Sequence, residues 1–75
     1  MSQVEEQAQV FIDALNDHAD VKSKFLAEAR TQERPSQELI VGLFHVPEIR
    51  ALRRASGDDD FLAIMRIATV RMLAQ

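Results

Sequence analysis

The stretch from Ser36 to Ala68, SQELIVGLFHVPEIRALRRASGDDDFLAIMRIA, decides the fold of this chain. Its apolar residues recur three and four positions apart in three successive segments, which is the spacing of amphipathic helices. Pro47 and Gly57 separate the segments, because proline suits the first turn of a helix and glycine commonly follows the last turn. We therefore predict three short helices here, at about 36–45, 47–56 and 59–74.

The residues before this stretch predict two more helices, at about 3–16 and 21–32, with Asp20 as the N-terminal cap of the second. No segment alternates apolar and polar residues with period two, so we expect no strand. The predicted fold class is all-α: a compact bundle of about five short helices with a helix-turn-helix-like centre, in a single domain over 1–75. The residues predicted to form its core are Phe11, Leu15, Phe25, Leu39, Phe44, Leu52, Phe61 and Met65.

The last predicted helix is apolar around most of its circumference, which favours burial on more than one side. A chain of 75 residues builds only a modest core and has little material to cover such a helix. Either this helix lies at the centre of the bundle, or part of it packs against a second copy of the chain. For the second case we predict a homodimer with Val70 and Leu73 at the interface.

The composition excludes several classes of protein. The chain has a net charge of −3, no cysteine and an ordinary apolar fraction of 47%. These values exclude thiol chemistry and argue against both disorder and a uniformly basic nucleic-acid binder. The sequence contains no run of about 18 apolar residues, and its acidic start is unlike a targeting signal. We therefore expect a cytoplasmic protein that does not enter a membrane.

The sequence offers little support for enzymatic chemistry. His18 and His45 lie far apart, with no cysteine to complete a zinc site. Asp58, Asp59 and Asp60 lack the spacing of a calcium-binding loop and are expected to stabilise the start of a helix instead. No nucleophile elbow and no glycine-rich phosphate loop occur. We therefore predict no metal, no cofactor and no enzymatic activity.

Positive charge in the C-terminal half is concentrated on one predicted helix face. Residues 39–75 hold five arginines against four acidic residues, whereas residues 1–38 hold eight acidic residues against four basic ones. Arg50, Arg53 and Arg54 share one face, because residues three and four positions apart are neighbours on a helix. That face is either neutralised by nearby carboxylates or available to nucleic acid.

The central stretch also resembles the Cro/repressor-type helix-turn-helix family, which includes XRE-like regulators and small antitoxin repressors. The resemblance rests on Arg30, six residues before the Ser-Gln pair that opens the second family helix, and on the segments 43–46 and 64–68. Val41 and His45 stand where the family has a small alanine and the turn glycine.

This resemblance implies a small DNA-binding transcriptional regulator, antitoxin-like in having a protein partner as well. It places the helix after the turn in the major groove of duplex DNA. Arg50, Arg53 and Arg54 would contact phosphates or guanine edges there, and Ser36 or Gln37 would contact the flanking backbone.

The same residues are compatible with a different class of function. The alternative is a small acidic protein-interaction module, such as an adaptor, an inhibitor or a leader-like domain, that binds a protein partner through an apolar helix surface. A DNA-binding protein needs the three arginines unpaired, whereas an interaction module can pair them with Glu48 and the aspartates that follow. Both hypotheses stay open on the sequence alone.

Overall fold

The computed structural model describes residues 3–31 and 34–74, and every regular element in this part of the chain is a helix. The helices are α1 (Gln3–Asn16), α2 (Ala19–Thr31), α3 (Gln37–Phe44) and α4 (Pro47–Leu73). The predicted all-α class is therefore confirmed. The predicted count of about five helices is slightly too high, because the segments 47–56 and 59–74 belong to one element.

The joint between the last two predicted helices is a break inside α4, at Gly57. Its backbone angles, φ 80° and ψ 173°, are non-helical. Only glycine adopts this region without strain, because any Cβ would meet the neighbouring backbone. Glycine was therefore a correct signal of a helix boundary, but the chain resumes its helical path directly after it.

The starts of α3 and α4 follow from local chemistry. Ser36 caps α3, since its Oγ accepts a hydrogen bond from the Leu39 amide at 3.2 Å. That bond satisfies one of the donors that every helix leaves unpaired at its start. Extended Val46 precedes α4, and Pro47 takes the first turn, where its missing N–H is no loss.

The start of α2 differs from the prediction. The helix begins at Ala19, so Asp20 lies in its first turn and not at the capping position. Its carboxylate still stands near the positive end of the helix dipole. The predicted end at Gln32 lies outside the described residues.

A single core lies between the four helices, and each helix contributes one phenylalanine to it. The ring of Phe11 lies 5.4 Å from Phe25 and 6.0 Å from Phe61, and Phe61 lies 6.0 Å from Phe44. These tilted and edge-on contacts are favourable for aromatic rings. The predicted core residues that are buried are Phe11, Leu15, Phe25, Leu39, Leu52, Phe61 and Met65.

Phe44 was also predicted to be a core residue, and it is only partly buried. One part of its ring packs against Phe61, and another part borders an open surface depression that three arginines also line. The predicted helix face was therefore right, but the end of α3 lies at the margin of the core.

The helix α4 contacts all three other helices and packs mainly against α1. One face of its C-terminal segment is buried, and the buried residues on that face are Phe61, Ile64, Met65, Ala68 and Met72. The other side stays open, since Leu62 is 50% exposed, Val70 68% and Leu73 40%. The helix is thus central to the fold, and yet it leaves apolar side chains in solvent.

Candidate functional site

The three arginines singled out in the sequence lie together on the outward side of α4. Ile49 and Leu52 are buried, and this orients the opposite side of the helix toward solvent. Arg50 and Arg54 are exposed, and Arg53 is partly buried. The predicted shared face is therefore present in the folded chain.

With Phe44, these arginines line a shallow depression of about 220 Å³, which we call the arginine cup. The half-buried ring supplies an apolar wall, and the guanidinium groups supply positive charge. Such a surface has the chemistry to accept an anionic group, including a phosphate.

Carboxylates neutralise part of this charge. Arg53 forms a salt bridge with Asp58, the first residue after the break at Gly57. Arg50 and Arg54 form no ion pair with any residue in the ranges that the structure describes. The sequence left open whether the arginine face is paired with carboxylates or free. In the described ranges, Arg53 is paired, whereas Arg50 and Arg54 are not.

The hydroxyl and the backbone N–H of Ser36 both form hydrogen bonds within the fold. Its hydroxyl donates a hydrogen bond to Glu28 Oε2 at 2.8 Å, and its backbone N–H donates to Glu28 Oε1 at 2.7 Å. A serine hydroxyl has one proton, and the carboxylate takes it. The hydroxyl is thus not available as a donor to a phosphate, whereas Gln37 is exposed at the first position of α3.

Glu28 was not recognised in the sequence as a partner of this serine. The two residues are eight positions apart, one in α2 and the other at the start of α3. The spacing of residues along a single helix therefore could not have predicted this contact. The two hydrogen bonds join the last turn of α2 to the start of α3.

The centre that resembles a helix-turn-helix has its own geometry. Only His45 and Val46 separate α3 from α4, and Val46 is buried. Val41, which stands where the family has a small alanine, is 52% exposed. Its side chain is therefore not enclosed between the two helices, which is where a small residue would be needed.

A second surface, which the sequence analysis did not identify, is an open groove of about 640 Å³ between α2, α3 and α4. Its apolar lining residues are Phe25, Ala29, Pro35, Leu39, Ile40, Leu62, Met65 and Val70. Its polar lining residues are Glu28, Arg34, Arg66 and Thr69. We call this surface the apolar groove.

The groove is open because α2 is incompletely covered. Phe25 is the one buried residue of this helix, whereas Ala29, which also lines the groove, is only partly buried. The helix α3, with eight residues, is too short to close over the rest of that face. The side of α2 that carries Phe25 and Ala29 therefore borders the groove.

The polar groups at the groove differ in what they bind. Thr69 Oγ1 donates to the Met65 carbonyl at 2.8 Å, and both carboxylate oxygens of Glu28 accept from Ser36. Arg34 and Arg66 are exposed and make no ion pair or side-chain hydrogen bond with a described residue. The groove thus has an apolar floor and two cationic side chains at its edge.

Other kinds of site are not found in the described ranges. There, no group of three or more histidine, aspartate or glutamate side chains is arranged to hold a metal ion. No helix among these residues has the length and apolar character needed to cross a bilayer.

The fold and the two surfaces define a small all-helical protein with an arginine cup and an apolar groove. No protein-family model, curated protein or solved structure matches the chain. The resemblance to the helix-turn-helix family therefore stays a prediction, and the function has to be inferred from the surfaces themselves.

Proposed function

We propose that this chain is a protein-interaction module that binds an apolar segment of a partner protein in the apolar groove. The exposure of Leu62 and Val70, at 50% and 68%, beside a concave apolar surface is the observation that carries the proposal. Single exposed apolar residues are common, but a concave apolar site is the default candidate for binding. Burial of these side chains by a partner removes apolar surface from water, which favours association.

The open shape of the groove favours a peptide segment over a small molecule. Sites for small molecules enclose about 70–90% of the ligand surface, and this groove lies open along one side. An amphipathic helix needs only one apolar face buried, and it binds such grooves through side chains at successive turns. The occupant we propose is therefore a helix.

Photo-crosslinking in cells tests this function and then supplies the partner for binding measurements. A photoreactive benzoylphenylalanine is placed at Leu62 in the groove and, as a matched control, at Val10, which is 48% exposed on α1 and does not line the groove. We expect a discrete adduct with another polypeptide from position 62 and none from position 10. With the partner purified, Leu62→Asp should raise Kd at least about ten-fold, and Val10→Asp should leave it unchanged.

Two results would overturn this proposal. One is equal crosslinking from the two positions, which would mean that the adducts are non-specific. The other is a purified partner whose Kd does not respond to Leu62→Asp, because that partner would bind elsewhere on the chain.

A second candidate function is binding of duplex DNA through the arginine cup, as a transcriptional regulator. It is favoured by Arg50 and Arg54, which are exposed and lack ion pairs in the described part of the chain. It is opposed by Glu48 and by the three aspartates at 58–60, since these carboxylates repel the negatively charged phosphates of the duplex. Because of these opposing carboxylates, we propose DNA binding only as the second candidate, after the interaction module.

The salt dependence of binding to mixed-sequence duplex DNA tests the second candidate. Two phosphate contacts give a slope of about −1.8 in log affinity against log salt, and Arg54→Gln should reduce its magnitude by about 0.9. Arg30→Gln is the matched control, because Arg30 is exposed on α2, outside the cup. A chain that ignores duplexes at low salt, or an unchanged slope in Arg54→Gln, would exclude this function.

Self-association through Val70 and Leu73 stays a prediction. Val70 lines the apolar groove, so a second copy of the chain would compete with a protein partner for the same surface. The homodimer and the complex with a partner are therefore alternative states.

A further inference from the structure

We infer that the apolar groove selects an acidic partner: an amphipathic helix with apolar residues for the floor and carboxylates placed to meet Arg34 and Arg66. The inference rests on the proposed function and adds the charge of the partner to it. It is the opposite of what the net charge of −3 alone would favour, since an acidic chain attracts basic partners in general.

Among the described residues that line the groove, positive charge exceeds negative charge. Arg34 and Arg66 both line the groove and are exposed, and neither forms an ion pair with a described residue. Glu28 is the acidic residue among the groove-lining residues, and its oxygens accept hydrogen bonds from Ser36 at 2.7 and 2.8 Å. A partner that approaches the groove therefore meets two arginines that have no ion pair within the described ranges. It also meets one carboxylate, which keeps its negative charge although Ser36 donates to both of its oxygens.

The exposed side of α4 argues against a second copy of the chain as the occupant. Leu62, Arg66 and Val70 are four positions apart, so they form one stripe along the helix. A two-fold dimer whose axis passes through the middle of this stripe would place Arg66 opposite its own symmetry copy, because residues at the axis of such an interface meet their own copies. Like charges in that position are unfavourable, whereas a carboxylate from a different helix would form an ion pair.

The expected selectivity is moderate, because both arginines are at the surface. An exposed ion pair changes an affinity by a factor of about one to five. Replacing two attractive contacts with two repulsive ones should therefore change Kd by roughly ten-fold. The apolar floor provides the affinity that both kinds of partner share.

Two synthetic helical peptides test this inference against the full chain. They carry leucine at the same apolar positions and differ only at the flanking positions, which are glutamate in one peptide and lysine in the other. Fluorescence anisotropy should give a Kd about ten-fold lower for the glutamate peptide at low salt. The difference should largely disappear at about 1 M salt, where the Debye length is about 3 Å.

Charge-reversal variants locate the selectivity. Arg66→Glu and Arg34→Glu should each reduce the preference for the glutamate peptide, and both together should invert it. Arg30→Glu is the matched control, because it changes the net charge equally at an exposed position outside the groove. A preference that Arg30→Glu weakens as much as Arg66→Glu does would be a general charge effect and would overturn the inference.

The remaining outcomes separate this inference from the proposed function. Equal binding of the two peptides, with loss of both in Leu62→Asp, overturns the charge selectivity and leaves groove binding standing. Binding of neither peptide overturns the inference, whereas the proposed function is decided separately by the crosslinking from positions 62 and 10. A concentration-dependent dimer that both peptides dissociate equally identifies a second copy as the occupant, and this also overturns the inference.

Discussion

Replacing Phe61 with alanine tests the packing that holds the two surfaces in place. This side chain is 5% exposed, and its ring lies 6.0 Å from the rings of both Phe11 and Phe44. Truncation of a buried phenylalanine costs about 3–5 kcal/mol, because apolar contacts are lost and a cavity remains. A chain of 75 residues has a total free energy of unfolding of roughly 4–11 kcal/mol, so the variant is close to unfolding. The melting temperature should fall by at least about 12 °C.

Phe44→Ala is the informative comparison, because Phe44 is only partly buried and has one ring neighbour. Its loss should cost about half as much, roughly 1.5–2.5 kcal/mol. Val70→Ala serves as the control and should stay within about 0.5 kcal/mol, since Val70 is 68% exposed.

Urea unfolding followed by far-UV circular dichroism measures all three variants, since the chain has no tryptophan or tyrosine for fluorescence. A loss below about 1 kcal/mol in Phe61→Ala would refute the assignment of the core. A loss in Phe44→Ala as large as that in Phe61→Ala would mean that the arginine cup is closed in solution.

Three further predictions concern the cap, the break and the exposed end of α4. Ser36→Ala should lower the free energy of unfolding by about 1–2 kcal/mol, because it removes a helix cap and a hydrogen bond to α2. Ser56→Ala, the control, should change this free energy little. Equal urea midpoints for the two variants would contradict the prediction. Gly57→Ala should cost about 1–3 kcal/mol at φ 80°, and a gain in stability would show that this position is helical in solution. Val70→Glu combined with Leu73→Glu should give a soluble monomer in sedimentation, since both side chains are exposed on the folded chain. An unmodified chain that is monomeric at about 100 μM would refute the predicted dimer.

The sequence by itself determined the helices and most of their inward faces. Ser36, Pro47 and Gly57 mark boundaries through chemistry that acts within one turn: a hydroxyl on a nearby amide, a missing N–H, and a backbone region that only glycine tolerates. Spacing of three and four residues was enough to bring Arg50 and Arg54 to the outside of α4. These features follow from contacts between residues that are close in sequence, so they do not depend on how the helices pack.

Tertiary structure alone decided which side chains have an ion-pair or hydrogen-bond partner and where the surface is concave. It paired Arg53 with Asp58, turned the Ser36 hydroxyl toward Glu28, and left Phe44 at the margin of the core. It also created the apolar groove, because a short α3 and the position of α4 leave part of α2 uncovered. Each of these outcomes depends on distances between groups on different helix segments, or on competition among several carboxylates and arginines for one partner. Helical periodicity specifies the direction in which a side chain points, and it contains no information about which group stands opposite.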